Sequence, residues 1–127
     1  MVFTHGNMPK NFVTLVKQHG ALLAKGWLLG VQFDTLFTDD LYCRIARHAN
    51  DAADRIREVL VERGYTLTFD APTNQIFITL DNATSERLQR NVRLGFMEKA
   101  DDTHTVMRIC TSWATTDEQV EQLIALL

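Results

Sequence analysis

Apolar residues recur at helical spacing from Pro9 to Phe37, and this period predicts one long helix. The members of the stripe are Phe12, Leu15, Val16, His19, Leu22, Leu23, Trp27, Gly30, Phe33 and Phe37. The second half of the predicted helix is apolar on nearly every side, so it requires cover from several directions. Met1–Thr4 predicts the stub of a buried strand. Residues 1–37 are therefore expected to form a strand stub and a long connecting helix.

A second amphipathic helix is predicted to begin at Thr38–Asp40, whose side chains have N-cap chemistry, and to end near Arg63. Its buried stripe comprises Leu41, Ile45, Ala49, Ala52, Ala53, Ile56, Val59 and Leu60. Gly64 follows at the position where a left-handed residue closes a helix.

From Tyr65 onward the apolar period changes from helical spacing to alternation, which predicts strands. In chain order the pattern predicts strands at Tyr65–Phe69 and Gln75–Leu80, a helix from Asp81 to about Val92, strands at Leu94–Glu98 and Thr105–Thr111, and a final helix after Thr116. Each pair of strands is expected to form a hairpin. Residues 38–127 are therefore predicted to form an α+β domain, with helices packed on one face of a small, mostly antiparallel sheet.

Composition and charge restrict the possible partners. The 127 residues are 46% hydrophobic and 23% charged, which is typical of a single globular domain. The net charge is −3 without a Lys/Arg run, so we expect no nucleic-acid or membrane partner. The apolar run Ala21–Phe33 contains Lys25 and Gln32 and is too short to span a bilayer. Cys43 and Cys110 lie far apart in sequence, which fits a reduced, cytoplasmic environment.

Few residues suggest chemistry. Arg108 lies inside the apolar strand segment Val106–Cys110, where a guanidinium requires an anionic partner. Two alternatives are open: it binds an anionic ligand, or it faces outward and pairs with a glutamate. Lys17 and Lys25 project from the predicted long helix; they either hold an anion or extend their amines to solvent from a partly buried helix.

Several segments resemble one enzyme family in the same order along the chain. Lys17–Gly26 followed by Leu28–Phe33 resembles the region after the cofactor lysine of low-specificity L-threonine aldolases. Further matches are Leu41-Tyr42 with Ala46–Asn50, and Arg108 with Thr111–Thr116. The resemblance extends over essentially residues 1–127. The family belongs to the β-eliminating lyases, which are pyridoxal-phosphate enzymes with the aspartate-aminotransferase-like fold.

The resemblance implies a C-terminal small domain or fragment of such a lyase. The family cleaves L-threonine or L-allo-threonine by a retro-aldol reaction to glycine and acetaldehyde. An N-terminal large domain, or a separate subunit, would supply the Schiff-base lysine that holds pyridoxal phosphate, and this chain is expected to begin after that lysine. The chain alone would then be inactive and would bind no cofactor covalently.

The resemblance also assigns roles to three residues, while the apolar face of the long helix, with Leu22, Leu23, Trp27, Leu28 and Val31, predicts a homo-oligomer. Arg108 would bind the substrate α-carboxylate, while Lys17 and Lys25 would lie near the cofactor phosphate or a subunit boundary. The alternative is a non-catalytic, homodimerising interaction domain that uses the long apolar helix as its contact surface. The reading frame upstream of Met1 would discriminate the two, because a segment ending in the lysine strand favours the enzyme.

Overall fold

The computed structural model describes residues 3–127, so Met1 and Val2 of the predicted strand stub lie outside the described part. Phe3 and Thr4 have irregular backbone. The chain divides into two compact units, Met1–Leu41 and Tyr42–Leu127, and each is described by itself. Within residues 3–127 no helix combines the length and the apolar character that crossing a bilayer requires.

The first unit corrects the prediction of one continuous helix over Pro9–Phe37. It contains two shorter helices instead, α1 (Phe12–Gln18) and α2 (Trp27–Phe37). Gly20 ends α1 with a φ of +68°, a left-handed conformation that glycine adopts without steric penalty. Two backbone hydrogen bonds close this end, from Gly20 N to Lys17 O (3.0 Å) and from Ala21 N to Val16 O (2.9 Å).

The helix α3 (Leu41–Glu62) begins directly after a 3-10 turn at Thr38–Asp40, although the Thr38 hydroxyl donates to the Asp34 carbonyl at 2.7 Å rather than capping α3. Asp39 in this turn has a φ of 50°, which separates α3 from α2. At the other end Gly64 has a φ of +79°, and Tyr65 N donates to Leu60 O at 2.9 Å. Both predicted boundaries of this helix are therefore confirmed, since Gly64 supplies the left-handed residue that closes it.

A four-stranded antiparallel sheet completes the second unit within residues 3–127. Its strands are β1 (Thr66–Leu67), β2 (Gln75–Asp81), β3 (Gly95–Lys99) and β4 (His104–Cys110), in the order β1-β2-β4-β3. The helix α4 (Asn82–Gln89) connects β2 to β3, and α5 (Asp117–Leu126) ends the chain. Both predicted hairpins and the α+β class are confirmed; the first strand is shorter than predicted.

The core lies on one face of this sheet. Alternate residues of β2, namely Ile76, Ile78 and Leu80, are buried there together with Met107 and Ile109 of β4. The helices cover them with the side chains Ala52, Ala53, Ile56 and Leu60 of α3, Leu88 of α4 and Val120 of α5. Helices therefore pack on this face, and the side chains between the core positions of β2 and β4 occupy the other face.

The strand β3 is irregular and largely exposed. Its pairing with β4 shifts between Phe96 and Glu98, which is the signature of a β-bulge. Within residues 3–127 β3 has one neighbouring strand only, so it forms an edge of the sheet.

Candidate functional site

Arg108 lies in the middle of β4, on the sheet face opposite the core. Its Cα partners are Phe77 on β2 and Gly95 on β3. The flanking residues Met107 and Ile109 are buried in the core, while Arg108 itself is partly exposed. The alternation of β4 thus places the guanidinium on the sheet face opposite the core, between β2 and β3.

The guanidinium of Arg108 has one hydrogen-bond partner among residues 3–127. Its Nη1 donates to Oε1 of Gln75 at 3.2 Å. Its Nε is buried and has no acceptor within those residues, and no carboxylate there forms an ion pair with it. A buried N–H without an acceptor costs about 1–3 kcal/mol. The described part of the chain therefore leaves this cation without an anionic partner.

A glycine lies beside the guanidinium on β3. A Cβ atom at Gly95 would lie 3.5 Å from Nε and 3.6 Å from Cβ of Arg108. A longer side chain at this position would lie against the guanidinium. Glycine therefore keeps the β3 side of Arg108 free of side-chain atoms.

The β2 side of Arg108 is aromatic. Phe77 stacks on Phe69 with a centroid separation of 4.5 Å and an interplanar angle of 29°. Phe77 is also the cross-strand partner of Arg108. The side chain next to Arg108 on β2 is therefore apolar and offers the guanidinium no acceptor. The arrangement suits a small molecule that carries a carboxylate.

Gln75 is the residue of this site that sequence reasoning missed. It begins the predicted strand Gln75–Leu80, and the alternation of that strand places Gln75 and Phe77 on one face. The available signal was this alternation together with the antiparallel register. The register pairs Gln75 with Cys110, two residues from Arg108, so that Gln75 is its diagonal neighbour.

The segment after β4, which carries part of the family resemblance, is anchored to the rest of the second unit. Thr111 is buried; its hydroxyl donates to the Ala49 carbonyl at 2.6 Å, and its own carbonyl accepts from Asn74 Nδ2 at 2.7 Å. Nε2 of His48 lies 2.7 Å from the carbonyl oxygen of Thr115. These bonds hold the end of β4 against α3.

Lys17 and Lys25 belong to the first unit. Lys17 is exposed in the last turn of α1, and Lys25 is exposed in the segment between α1 and α2 rather than on a helix. Within residues 3–127 no hydrogen bond or ion pair orients either amine. Their expected place near the cofactor phosphate or a subunit boundary stays a prediction.

A polar cleft of about 590 Å³ lies elsewhere in the second unit, lined by Asp81, Asp101 and His104 among others. Hydrogen bonds from Thr84 lower the pKa of the Asp81 carboxyl, which caps α4. Hydrogen bonds from Thr103, and then from His104, lower the pKa of Asp101. Residues 3–127 contain no cluster of His, Cys, Asp and Glu suited to a metal ion. The two carboxylates thus serve the helix cap and the turn.

A solved structure bears on the family resemblance. A threonine aldolase from Leishmania major matches 93% of this chain with a TM-score of 0.86 and 35% sequence identity. The chain has the fold of part of a threonine aldolase. It spans 34% of the length of that enzyme, and the family resemblance found in the sequence is confirmed.

A second solved structure shares the fold of the threonine-aldolase-like chain at greater distance. Serine palmitoyltransferase from Sphingomonas wittichii matches 63% of this chain and 22% of its own, with 22% identity and a TM-score of 0.52. This likeness concerns the fold alone. No protein-family model and no curated protein sequence matches the chain.

Proposed function

We propose that this chain is the C-terminal part of a threonine-aldolase-like lyase and that Arg108 binds the α-carboxylate of its amino-acid substrate. The observation that carries the proposal is the guanidinium of Arg108, which has a buried Nε–H without an acceptor and no carboxylate partner within residues 3–127. The match to a threonine aldolase supports the substrate class, an amino acid with a hydroxyl on the β-carbon.

The proposed reaction needs such a carboxylate-binding group. Retro-aldol cleavage of L-threonine breaks the Cα–Cβ bond and yields glycine and acetaldehyde, while the α-carboxylate is unchanged. The carboxylate can therefore serve as a fixed point by which the enzyme orients the bond to be broken. Arginine suits this role because its planar group can give two parallel hydrogen bonds to a carboxylate.

We propose that pyridoxal phosphate acts in the complete enzyme and that residues outside this chain hold it. In enzymes of this class the bound cofactor supplies an electron sink for the carbanion formed at Cα. The support for a Schiff-base lysine on a large domain or subunit is the sequence context, because none of Lys10, Lys17, Lys25 and Lys99 lies in a context like that of the family's cofactor lysine. The proposed partners are that domain and a second copy of the chain. We propose a cytoplasmic location because Cys43 and Cys110 are free cysteines. We propose no nucleic-acid or membrane partner because the net charge is −3 without a Lys/Arg run.

We predict that the purified chain forms no stoichiometric aldimine with pyridoxal phosphate. The expected result is scattered, substoichiometric labelling of its lysines after borohydride reduction, because Lys10, Lys17, Lys25 and Lys99 are all exposed. Peptide mapping by mass spectrometry measures the label at each lysine. One lysine labelled stoichiometrically would contradict the proposal that the cofactor is held elsewhere.

A chimaera tests the function directly. In the Leishmania major threonine aldolase the matched segment, 34% of that chain, is replaced by residues 1–127 of this protein. We expect the chimaera to release acetaldehyde from L-threonine. A folded chimaera that retains the cofactor but cleaves no β-hydroxy amino acid would refute the proposed function.

One observation favours self-association as a second candidate function. All residues of α2 from Trp27 to Phe33 are exposed, and Trp27 retains 65% of its accessible surface. An apolar patch of this kind is unusual on a monomer, and two-fold pairing of α2 with a second copy would cover it.

We predict that the chain forms a dimer through α2. The variant Trp27→Glu should shift the chain toward monomer, since it would place a charge in the apolar contact. Val61→Glu is the matched control, because Val61 is exposed on α3 of the second unit. Sedimentation equilibrium gives the mass, and a wild-type chain that stays monomeric at high concentration would contradict the prediction.

A further inference from the structure

The partner that Arg108 has within the chain is uncharged. Gln75 Oε1 accepts a hydrogen bond from Arg108 Nη1 at 3.2 Å, and Gln75 is partly exposed at the start of β2. A carboxylate at this position would neutralise the guanidinium, whereas a carboxamide leaves its full positive charge. Gln75 thus fixes the position of the guanidinium without satisfying its charge.

We infer that Gln75 is the positioning residue for Arg108. Gln75 holds the guanidinium on the sheet face opposite the core without neutralising its charge, so that the carboxylate of an amino acid binds as the counter-ion. The inference rests on the proposed function, because it takes Arg108 as the carboxylate-binding group.

The donors of the guanidinium show how this arrangement works. Nη1 is bonded to Gln75, and Nε is buried without an acceptor. Nη2 has no acceptor within residues 3–127 and is not buried. An incoming carboxylate therefore meets the terminal nitrogens first. The amide of Gln75 restrains Nη1, so less rotational freedom is lost when the ligand binds.

Because Gln75 is neutral, a negative charge introduced at position 75 should have a predictable effect on ligand binding at Arg108. A glutamate at position 75 keeps the length and shape of the side chain but carries a carboxylate within reach of Nη1. That carboxylate would be present at high effective concentration and would compete with any free ligand. The substitution Gln75→Glu thus separates the positional role of the residue from its neutrality.

The test uses the full chain labelled with ¹⁵N and follows the Nε–Hε resonance of Arg108, assigned as the signal missing from Arg108→Lys. The probes are sodium acetate and L-threonine, titrated at constant ionic strength. In the wild type we expect a saturable shift of this resonance with either probe. In Gln75→Glu we expect the resonance to shift before any probe is added and the apparent affinity to fall by at least about tenfold, equivalent to about 1.4 kcal/mol.

Two further variants control the measurement. Gln122→Glu makes the same charge change on α5, which packs on the core face, and should bind both probes as the wild type does. Gln75→Met keeps the side-chain length without a comparable acceptor. Its Arg108 resonance should broaden, and the affinity should fall less than in Gln75→Glu. Gln75→Met also serves as the test variant if Gln75→Glu does not fold.

The outcomes distinguish the inference from the proposed function. If the wild type shows a saturable shift and both Gln75 variants bind as tightly, the role of Gln75 is refuted while the role of Arg108 stands. If the Arg108 resonance of the wild type responds to neither probe, the proposed function is refuted, and the inference with it. A large loss of affinity in Gln75→Glu but not in Gln122→Glu supports the inference.

Discussion

Arg108→Lys is expected to weaken the binding of L-threonine to a complete enzyme that contains this chain by about 2–4 kcal/mol, the range for truncating one partner of a buried, hydrogen-bonded charge pair. Lysine keeps the positive charge but offers a point charge in place of a planar, two-donor group. It would also lose the hydrogen bond that Arg108 Nη1 donates to Gln75. Retention of the cofactor should change little, since the proposed function assigns the cofactor to residues outside this chain.

The measurement is made in the threonine aldolase chimaera, where the affinity for L-threonine and the cofactor content are compared between the two forms. Arg90→Lys is the matched control, because Arg90 is exposed at the C-terminal end of α4. It should leave both quantities unchanged. Equal losses of cofactor and substrate in Arg108→Lys would show that Arg108 supports the structure rather than the ligand.

Leu60→Ala is expected to lower the free energy of unfolding of the second unit by about 2–5 kcal/mol, as for other leucines truncated in a packed core. Leu60 has 0% of its surface exposed and belongs to the core cluster between α3 and the sheet. Its removal would leave a cavity among the packed side chains of that cluster, which relax only in part.

The adjacent residue supplies the control for this substitution. Val61 lies next to Leu60 on the same helix but retains 57% of its surface, so Val61→Ala should change stability by less than about 0.5 kcal/mol. Urea denaturation of the full chain, followed by circular dichroism, gives both values. Similar losses in the two variants would mean that the face of α3 assigned to the core is wrong.

The elements of the second unit were predictable because local rules determine them. The stripe from Leu41 to Leu60 has one helical period, and Gly64 marks its end. The start of α5 follows from a capping box, a local motif in Thr116 and Gln119: the Thr116 side chain accepts from Gln119 N, and the Gln119 side chain accepts from Thr116 N. Hairpins likewise depend on short stretches of sequence, so both were found.

The break between α1 and α2 was not predicted, because the apolar spacing continues across it. Periodicity indicates which side chains could share a helix face, but it does not show whether one residue in the stretch has a positive φ. The predicted helix Pro9–Phe37 includes Gly20, whereas in the structure Gly20 closes α1. A glycine within an apolar helical stripe is compatible with either role, and only the backbone hydrogen bonds distinguish them.

Of the two residues of the candidate site, Arg108 could be predicted from local sequence and Gln75 could not. Arg108 stood out because a charged residue inside an apolar strand is rare and needs an explanation. Gln75 lies 33 positions away, and only the pairing of β2 with β4 brings it beside Arg108. The predicted hairpins paired neighbouring strands and left β2 and β4 unconnected. The central contact of the sheet is non-local, and local patterns do not contain it.

The bulge in β3 has a consequence for how the sheet behaves in a crowded solution. A flat outer strand offers a row of free N–H and C=O groups on which strands of other molecules can add, the first step of edge-to-edge aggregation. The shift between Phe96 and Glu98 interrupts that row, and Glu98 and Lys99 place charges at the same edge. Phe96 and Met97 are exposed at this edge. The bulge and the two charges therefore lie where an apolar outer strand would otherwise favour aggregation. The irregularity thus disfavours polymerisation of the sheet at its outer strand.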